Sequence, residues 1–288
     1  MIPAAFDYKV PATLEEAVSL LAGDPDGAKI LAGGHSLIPA MKLRLAQPQL
    51  LIDIARIPSL SYIREDGSQI LIGATTTHYQ LESSDLLKQI CPLIPACAAS
   101  IGDVQVRNKG TIGGSIAHSD PAGDWPAAVL ALDADLVLVG PGGERTVKAA
   151  DFFIDLLTTD LQPGEILREV RIAKPSGRFG QAYQKVPHPS SGFAVVGIAV
   201  HLAFNDDGSC KAAQIGVTGV GAKAYRAHGV EATLAGKNLD EQIISDAATH
   251  VCDGVDPNSD LYASGEYRCH LAQVHTRRAI QAAKAAVQ

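Results

Sequence analysis

Ala28-Lys29-Ile30-Leu31-Ala32-Gly33-Gly34-His35-Ser36 is a short apolar run that ends in a glycine pair. A run of this length, closed by glycine, reads as a strand leading into a sharp turn. Without Cβ atoms, the paired glycines let backbone N–H groups approach an anion closely. A second stretch, Thr111-Ile112-Gly113-Gly114-Ser115, repeats the pattern 80 positions later. In each, a flanking Ser or Thr hydroxyl can donate to a phosphate oxygen. Two such loops could grip one pyrophosphate from opposite sides. Either alone is more often only a turn, and the pairing is what favours a dinucleotide site. Neither matches G-x-G-x-x-G or G-x-x-x-x-G-K-[ST], so the nicotinamide-dinucleotide fold and the P-loop lose support.

Working outward, Thr13 and Glu16 form a capping box ahead of the apolar stripe Leu14, Ala17, Val18 and Leu21, and Gly23 stands where a left-handed stop belongs. A further strand, Gln49 to Asp53, completes an α/β opening over residues 1–57. From 58 to 175 the texture changes. Ser61 to Arg64 and Gln69 to Gly73 flank a Glu65-Asp66-Gly67-Ser68 turn signal. Helical stretches near Tyr79–Ile90 and Leu93–Ile101 follow, with strands at Leu136–Val139 and Glu169–Ile172. Pro175-Ser176-Gly177 marks a boundary between residues 1–175 and 176–288. The last part opens with strands Phe193–Phe204 and Lys211–Val217, then helices near Ala224–Leu234, Asp240–Cys252 and Glu266–Ala286. Strands first and helices after predict an α+β fold.

The 288 residues suffice for two domains, and 47% hydrophobic with 19% charged residues is an ordinary globular balance. Net charge is −7, from 24 basic and 31 acidic side chains, with no Lys/Arg run. That balance repels a phosphate backbone and argues against nucleic-acid binding. No apolar run approaches the roughly 20 residues of a membrane span. The start, Met1-Ile2-Pro3-Ala4-Ala5-Phe6-Asp7-Tyr8, lacks the features of a signal peptide, so a cytoplasmic location is expected, at most peripheral to the inner membrane face. Cys91, Cys97, Cys210, Cys252 and Cys269 are odd in number and form no C-x-x-C. They are expected to be free thiols in a reducing compartment, so that any metal-centred redox step belongs to another chain.

A-G-G-H-S near position 32, Q-V-R-N-x-G-T-I-G-G-S near 105 and the following D-P-x-x-D-x-P make the chain resemble the FAD-carrying medium subunits of molybdenum hydroxylases, the family of aerobic carbon monoxide dehydrogenases and xanthine dehydrogenases. The likeness runs end to end, including the opening P-x-x-F-x-Y and the Y-x-K at Tyr183–Lys185. It implies a two-subdomain FAD-binding domain of the PCMH/VAO type over 1–175, then a C-terminal domain like that of the carbon monoxide dehydrogenase flavoprotein. By that resemblance, Lys29, Ile30, Leu31, Ala32, Gly33, Gly34, His35 and Ser36 wrap the pyrophosphate of noncovalent FAD. Thr111, Ile112, Gly113, Gly114 and Ser115 complete the cradle, Asp124 hydrogen-bonds the cofactor, and Leu167 and Lys185 line the site. Phe193 falls where relatives carry a tyrosine beside the flavin ring, and Ser115 where Asn is common. The same resemblance implies a large molybdopterin subunit, a small subunit with [2Fe–2S] clusters, a dimer of heterotrimers, and an acceptor that is a quinone, NAD or oxygen.

The residues also permit plainer readings. Asp124 could simply cap the helix opening at Trp125-Pro126, Lys185 could be a solvated strand residue, and Phe193 could be core. His35 reads as a loop residue near the phosphates. His118, His188 and His201 show no metal-ligand spacing, and no G-x-S-x-G is present. No convincing acid–base pair stands out, which suits an electron carrier better than an enzyme acting directly on substrate. Two rivals stay open: a stand-alone reductase of the same broad fold, resembling UDP-N-acetylenolpyruvoylglucosamine reductase, and a nucleotide-binding module without redox activity.

Overall fold

Parallel pairing with a crossover helix organises the first 57 residues of this computed structural model, which describes residues 1–287. Strand β1 (Asp7–Lys9), helix α1 (Leu14–Gly23), β2 (Ala28–Leu31), α2 (Leu37–Lys42) and β3 (Leu50–Asp53) build a three-stranded sheet of order β1-β3-β2. Thr13 caps α1 by accepting from the Glu16 N–H, while the Glu16 carboxylate accepts from Ala12 rather than closing the box on Thr13. The stripe Leu14, Ala17, Val18 and Leu21 is buried as its spacing predicts. Gly23 is the last helical residue and not a left-handed stop; Asp24 ends the helix instead.

The second part is an antiparallel sheet with a helical insert. Strands β4 (Ile63–Asp66) and β5 (Gln69–Gly73) form the expected hairpin around Gly67, whose φ of 58° suits a residue without Cβ. The chain then runs through α3 (His78–Ser83), α4 (Asp85–Ile90), α5 (Leu93–Ala99), α6 (Val104–Arg107), α7 (Ile112–His118) and α8 (Asp124–Ala131). The single helix expected over 79–90 is two, because Ser84 leaves helical geometry and caps the second through Leu87 N–H. Next come β6 (Asp135–Gly140), β7 (Gly143–Lys148), α9 (Ala149–Phe152), the small hairpin β8 (Phe153–Asp155) and β9 (Thr158–Thr159), and β10 (Ile166–Ala173). The sheet order is β4-β5-β10-β6-β7, so the last strand inserts at its centre.

Strands lead and helices follow in the C-terminal part. Strands β11 (Arg178–Pro187), β12 (Ala194–Phe204), β13 (Cys210–Thr218) and β14 (Tyr225–Arg226) form one antiparallel sheet in sequence order. Helices α10 (His228–Leu234), α11 (Glu241–Ala248) and α12 (Gly265–Ala285) come after them. The ten-residue β11, outside the strands read from sequence, carries the Y-x-K segment. Helix α8 is buried along its whole length, against α5 on one side and β12–β13 on the other. A Cβ at Gly216 would stand 2.0 Å from the Ala127 carbonyl, so glycine there permits the backbones to touch. The α+β architecture is as expected.

The cysteines correct one expectation. Cys252 and Cys269 are not free thiols but a disulfide, Cα atoms 6.0 Å apart, tying a 3-10 turn (Thr249–Cys252) to α12. They stand seventeen positions apart in sequence, and it is the packing of α12 that brings them together. Cys91, Cys97 and Cys210 are free and buried.

Candidate functional site

The segments that carry the two glycine pairs, far apart in sequence, meet in space: Gly33 abuts Lys109–Gly110, just ahead of the second pair, and a Cβ on Gly114 would stand 3.9 Å from the Ala32 Cβ. A Cβ on Gly33 would stand 2.3 Å from the Lys109 carbonyl oxygen and 2.7 Å from the Gly110 Cα, so only glycine allows this contact. Between them opens a cavity of about 680 Å³, in the range of small-molecule and cofactor sites.

The loops contribute differently from the symmetrical grip their sequences suggest. After β2, Gly34 adopts φ of 76°, and a Cβ there would also press Ile38 Cδ1 at 2.7 Å. Among the described residues, the N–H groups of Gly33, Gly34, His35 and Ser36 have no acceptor. Ser36 makes no side-chain capping bond to α2, which leaves its hydroxyl free as well. The second pair is not a loop but the first turn of α7, and its N–H groups are already engaged. Ile112 donates to Thr76 O, Gly113 to Ala74 O at 2.9 Å, Gly114 to Thr111 Oγ1 at 3.1 Å and Ser115 to Thr111 O. A Cβ on Gly113 would meet Ala74 Cβ at 2.5 Å. Open donors therefore come from the first loop, while α7 supplies a close-packed wall and the Ser115 hydroxyl.

Of the residues singled out from sequence, Lys29 through Ser36, Thr111, Gly113, Gly114, Ser115, Asp124, Leu167 and Phe193 line the cavity. Ile112 and Lys185 do not. Ile112 turns into the hydrophobic core, and Lys185 lies behind Asp124. Asp124 is 5% exposed and does not cap α8, because Gly123 holds the extended cap position. Its carboxylate accepts from Tyr183 Oη at 2.5 Å and Lys185 Nζ at 2.8 Å, and Lys185 also donates to Ser100 O. Burial raises the Asp124 pKa, against the opposing pull of Lys185. The pair sums to zero charge, and β11 delivers both partners two residues apart on one face of a strand. Burial, with the Asp124 charge next, pushes the Tyr183 phenol well above its usual value.

Phe193, singled out from sequence, is 43% exposed at the cavity rim, on a turn closed by Gly192 N–H to His188 O. Sequence reading missed other wall residues. The β8–β9 hairpin brings in Leu157, held at φ of 52°, with Leu161 just beyond it. His78, 4% exposed, lies in the wall beneath Gly110. The Thr77–Gln80 capping box before it was the one local signal of order there. Among the described residues no group of His, Cys, Asp and Glu could hold a metal ion, and no helix is long and apolar enough to cross a membrane.

Comparison with known proteins gives one picture over the whole length. The family described as the FAD binding domain in molybdopterin dehydrogenase matches residues 4–175, and the CO dehydrogenase flavoprotein C-terminal domain matches residues 181–283. The chain is 41% identical to the carbon monoxide dehydrogenase medium chain of Hydrogenophaga pseudoflava, covering 98% of each. It is 35% identical to subunit alpha of the 6-hydroxypseudooxynicotine dehydrogenase complex of Paenarthrobacter nicotinovorans, covering 97% of this chain and 95% of that one. Among solved structures, it superposes on a chain of the Hydrogenophaga pseudoflava carbon monoxide dehydrogenase lacking the Mo-pyranopterin moiety with a TM-score of 0.97, at 42% identity and complete coverage of both.

Proposed function

The chain belongs to the family of FAD-binding medium subunits of molybdenum-containing dehydrogenases, and from that membership we propose that it is the electron-transfer flavin subunit of a three-subunit oxidoreductase. The observation that carries the reading is the contact of Gly33 with Lys109–Gly110, with a cavity of about 680 Å³ and unpartnered N–H groups beside it. When bound, FAD supplies chemistry that couples one-electron donors to a two-electron acceptor.

This chain's own part is to bind and orient. The Gly33–Ser36 N–H groups receive the diphosphate, as backbone donors do in other anion sites. Thr111, Gly113, Gly114 and Ser115 form the facing wall, with Ile112 anchoring it from the core. Asp124 offers the remaining lone pairs of its carboxylate to the cofactor, while Lys185 and Tyr183 fix its position from behind. Leu167 and Phe193 supply apolar contact, and Phe193 leaves out the hydroxyl a tyrosine would present. In this proposal residues 1–175 hold the cofactor and 176–288 brace it.

A large molybdopterin subunit oxidises the substrate, and a small subunit relays electrons through [2Fe–2S] clusters to this one. The acceptor is a quinone, NAD or oxygen, and the assembly sits in the cytoplasm. The substrate is chosen on the large subunit: two relatives matched over 98% and 97% of this chain belong, by their names, to a carbon monoxide dehydrogenase and to a 6-hydroxypseudooxynicotine dehydrogenase complex. The purified chain is expected to take up FAD, with flavin absorbance near 450 nm (roughly, as for any flavin), and to oxidise no organic substrate alone. Expressed with its neighbours it should co-purify with two further chains. Substrate turnover by the single chain would overturn the proposal.

A further inference from the structure

His78 sits at the seam between the two glycine segments, at the first position of α3. Its backbone N–H donates to Gly110 O, and the preceding Thr77 bridges Thr111, so the ring is fixed to the segment that meets Gly33. The indole Nε1–H of Trp125, 1% exposed, donates to His78 Nδ1 at 3.1 Å. An indole nitrogen can only donate, so Nδ1 must be the acceptor, and the proton of a neutral ring then sits on Nε2. The ring is neutral at ordinary pH: burial, with His35 and Arg107 adding to it, pushes its pKa down to about 4. Nε2 has no acceptor among the described residues. A Cβ at position 110 would stand 2.6 Å from it and cover it, whereas Gly110 leaves that edge open to the cavity. Nε2 is not one of the fully buried unpartnered side-chain atoms, so this unpaired donor is reached from the cavity that His78 lines.

We propose that His78 is a cofactor-binding residue, presenting a fixed Nε2–H donor to an oxygen acceptor of the dinucleotide, with Trp125 as the positioning residue that sets its tautomer. The inference rests on the FAD-binding reading and deepens it. The first turn of α8 then serves the cofactor twice, through Asp124 directly and through Trp125 by way of His78.

The test uses the full chain stripped of flavin and labelled with ¹⁵N-histidine. Before FAD is added, the His78 resonances should report the Nε2–H tautomer, and saturating FAD should move the Nε2–H proton signal. Fluorescence titration should show FAD binding about tenfold weaker in His78→Phe, with recovery in His78→Gln, whose amide keeps a donor and an acceptor. Trp125→Phe should weaken binding less, and its His78 signals should show a mixture of tautomers. The affinity step between wild type and His78→Phe should not change between pH 6 and pH 9. An Nδ1–H tautomer, an Nε2–H signal indifferent to FAD, or a folded His78→Phe chain with wild-type affinity would each refute the assignment. Should His78→Phe fail to fold, the wild-type resonances still decide. If the wild-type chain binds no FAD, it is the flavin-subunit reading that falls.

Discussion

A methyl group at position 33 has nowhere to go, because the Lys109 carbonyl that it would strike is backbone and cannot rotate aside. Gly33→Ala is therefore expected to part the two glycine segments and weaken FAD binding at least about tenfold, or 1.4 kcal/mol. A fluorescence titration that found unchanged affinity would mean the contact is irrelevant to binding. Asp124 tests a different force. In Asp124→Asn the volume is kept but Lys185 loses its buried anion, and breaking such a pair costs about 3–5 kcal/mol. Chemical denaturation should show that loss even without flavin, since the damage is to the buried charge pair before it is to the cofactor.

Short elements hold the site, and each owes its position to a cap or a tie rather than to length. Helix α7 has seven residues, and its start depends on Thr111 Oγ1 accepting from Gly114. Helix α12 has twenty-one, yet it is also pinned, through Cys269 to Cys252. Closing a loop of this size stabilises a fold by about 3 kcal/mol in the chain-entropy account. Cys252→Ser should lower unfolding stability by about 2–4 kcal/mol. Thiol titration of the unfolded wild-type chain should find three thiols without reductant and five with it. Five reactive thiols without reductant would show that the bridge does not form.

For the whole molecule, stability should answer to both cofactor and pH. FAD at a hundred times its Kd should stabilise the fold by about 2.7 kcal/mol, which raises the melting midpoint of a chain this size by roughly 4–5 °C. Buried His78 and half-buried His201 contribute to the pH response. Burial lowers both His78 and His201 to about 4, from an ordinary value of 6.5. Above pH 6.5 both are neutral, folded or unfolded. Between 6.5 and about 4 the unfolded chain takes up their protons and the folded chain does not, so stability falls with falling pH, by roughly 3 kcal/mol for each group. Urea midpoints of the flavin-free chain should drop from pH 7.5 to pH 4.5, and His78→Gln/His201→Gln should flatten that slope. Equal slopes would move the acid sensitivity elsewhere.

Local chemistry was legible directly from the residues. The α1 stripe, the Gly67 hairpin, the strand before Gly33 and the strands-then-helices order of the last part each depend on neighbours within a few positions, so period and turn chemistry suffice to read them. The glycine pairs announced a close approach, but not that the first would keep free N–H groups while the second spent its own inside a helix. That division is decided by Ala74 and Thr76, strand-end carbonyls about 40 positions away from the first loop, whose place follows from sheet packing. The same holds for His78 on Trp125, for Tyr183 and Lys185 on Asp124, and for Cys252 on Cys269. Those partners lie 47, 59, 61 and 17 residues apart, and no periodicity links them. Sequence alone thus determined which segments could turn, cap and bury, whereas tertiary packing decided which polar groups were left with hydrogen-bonding capacity to offer a ligand.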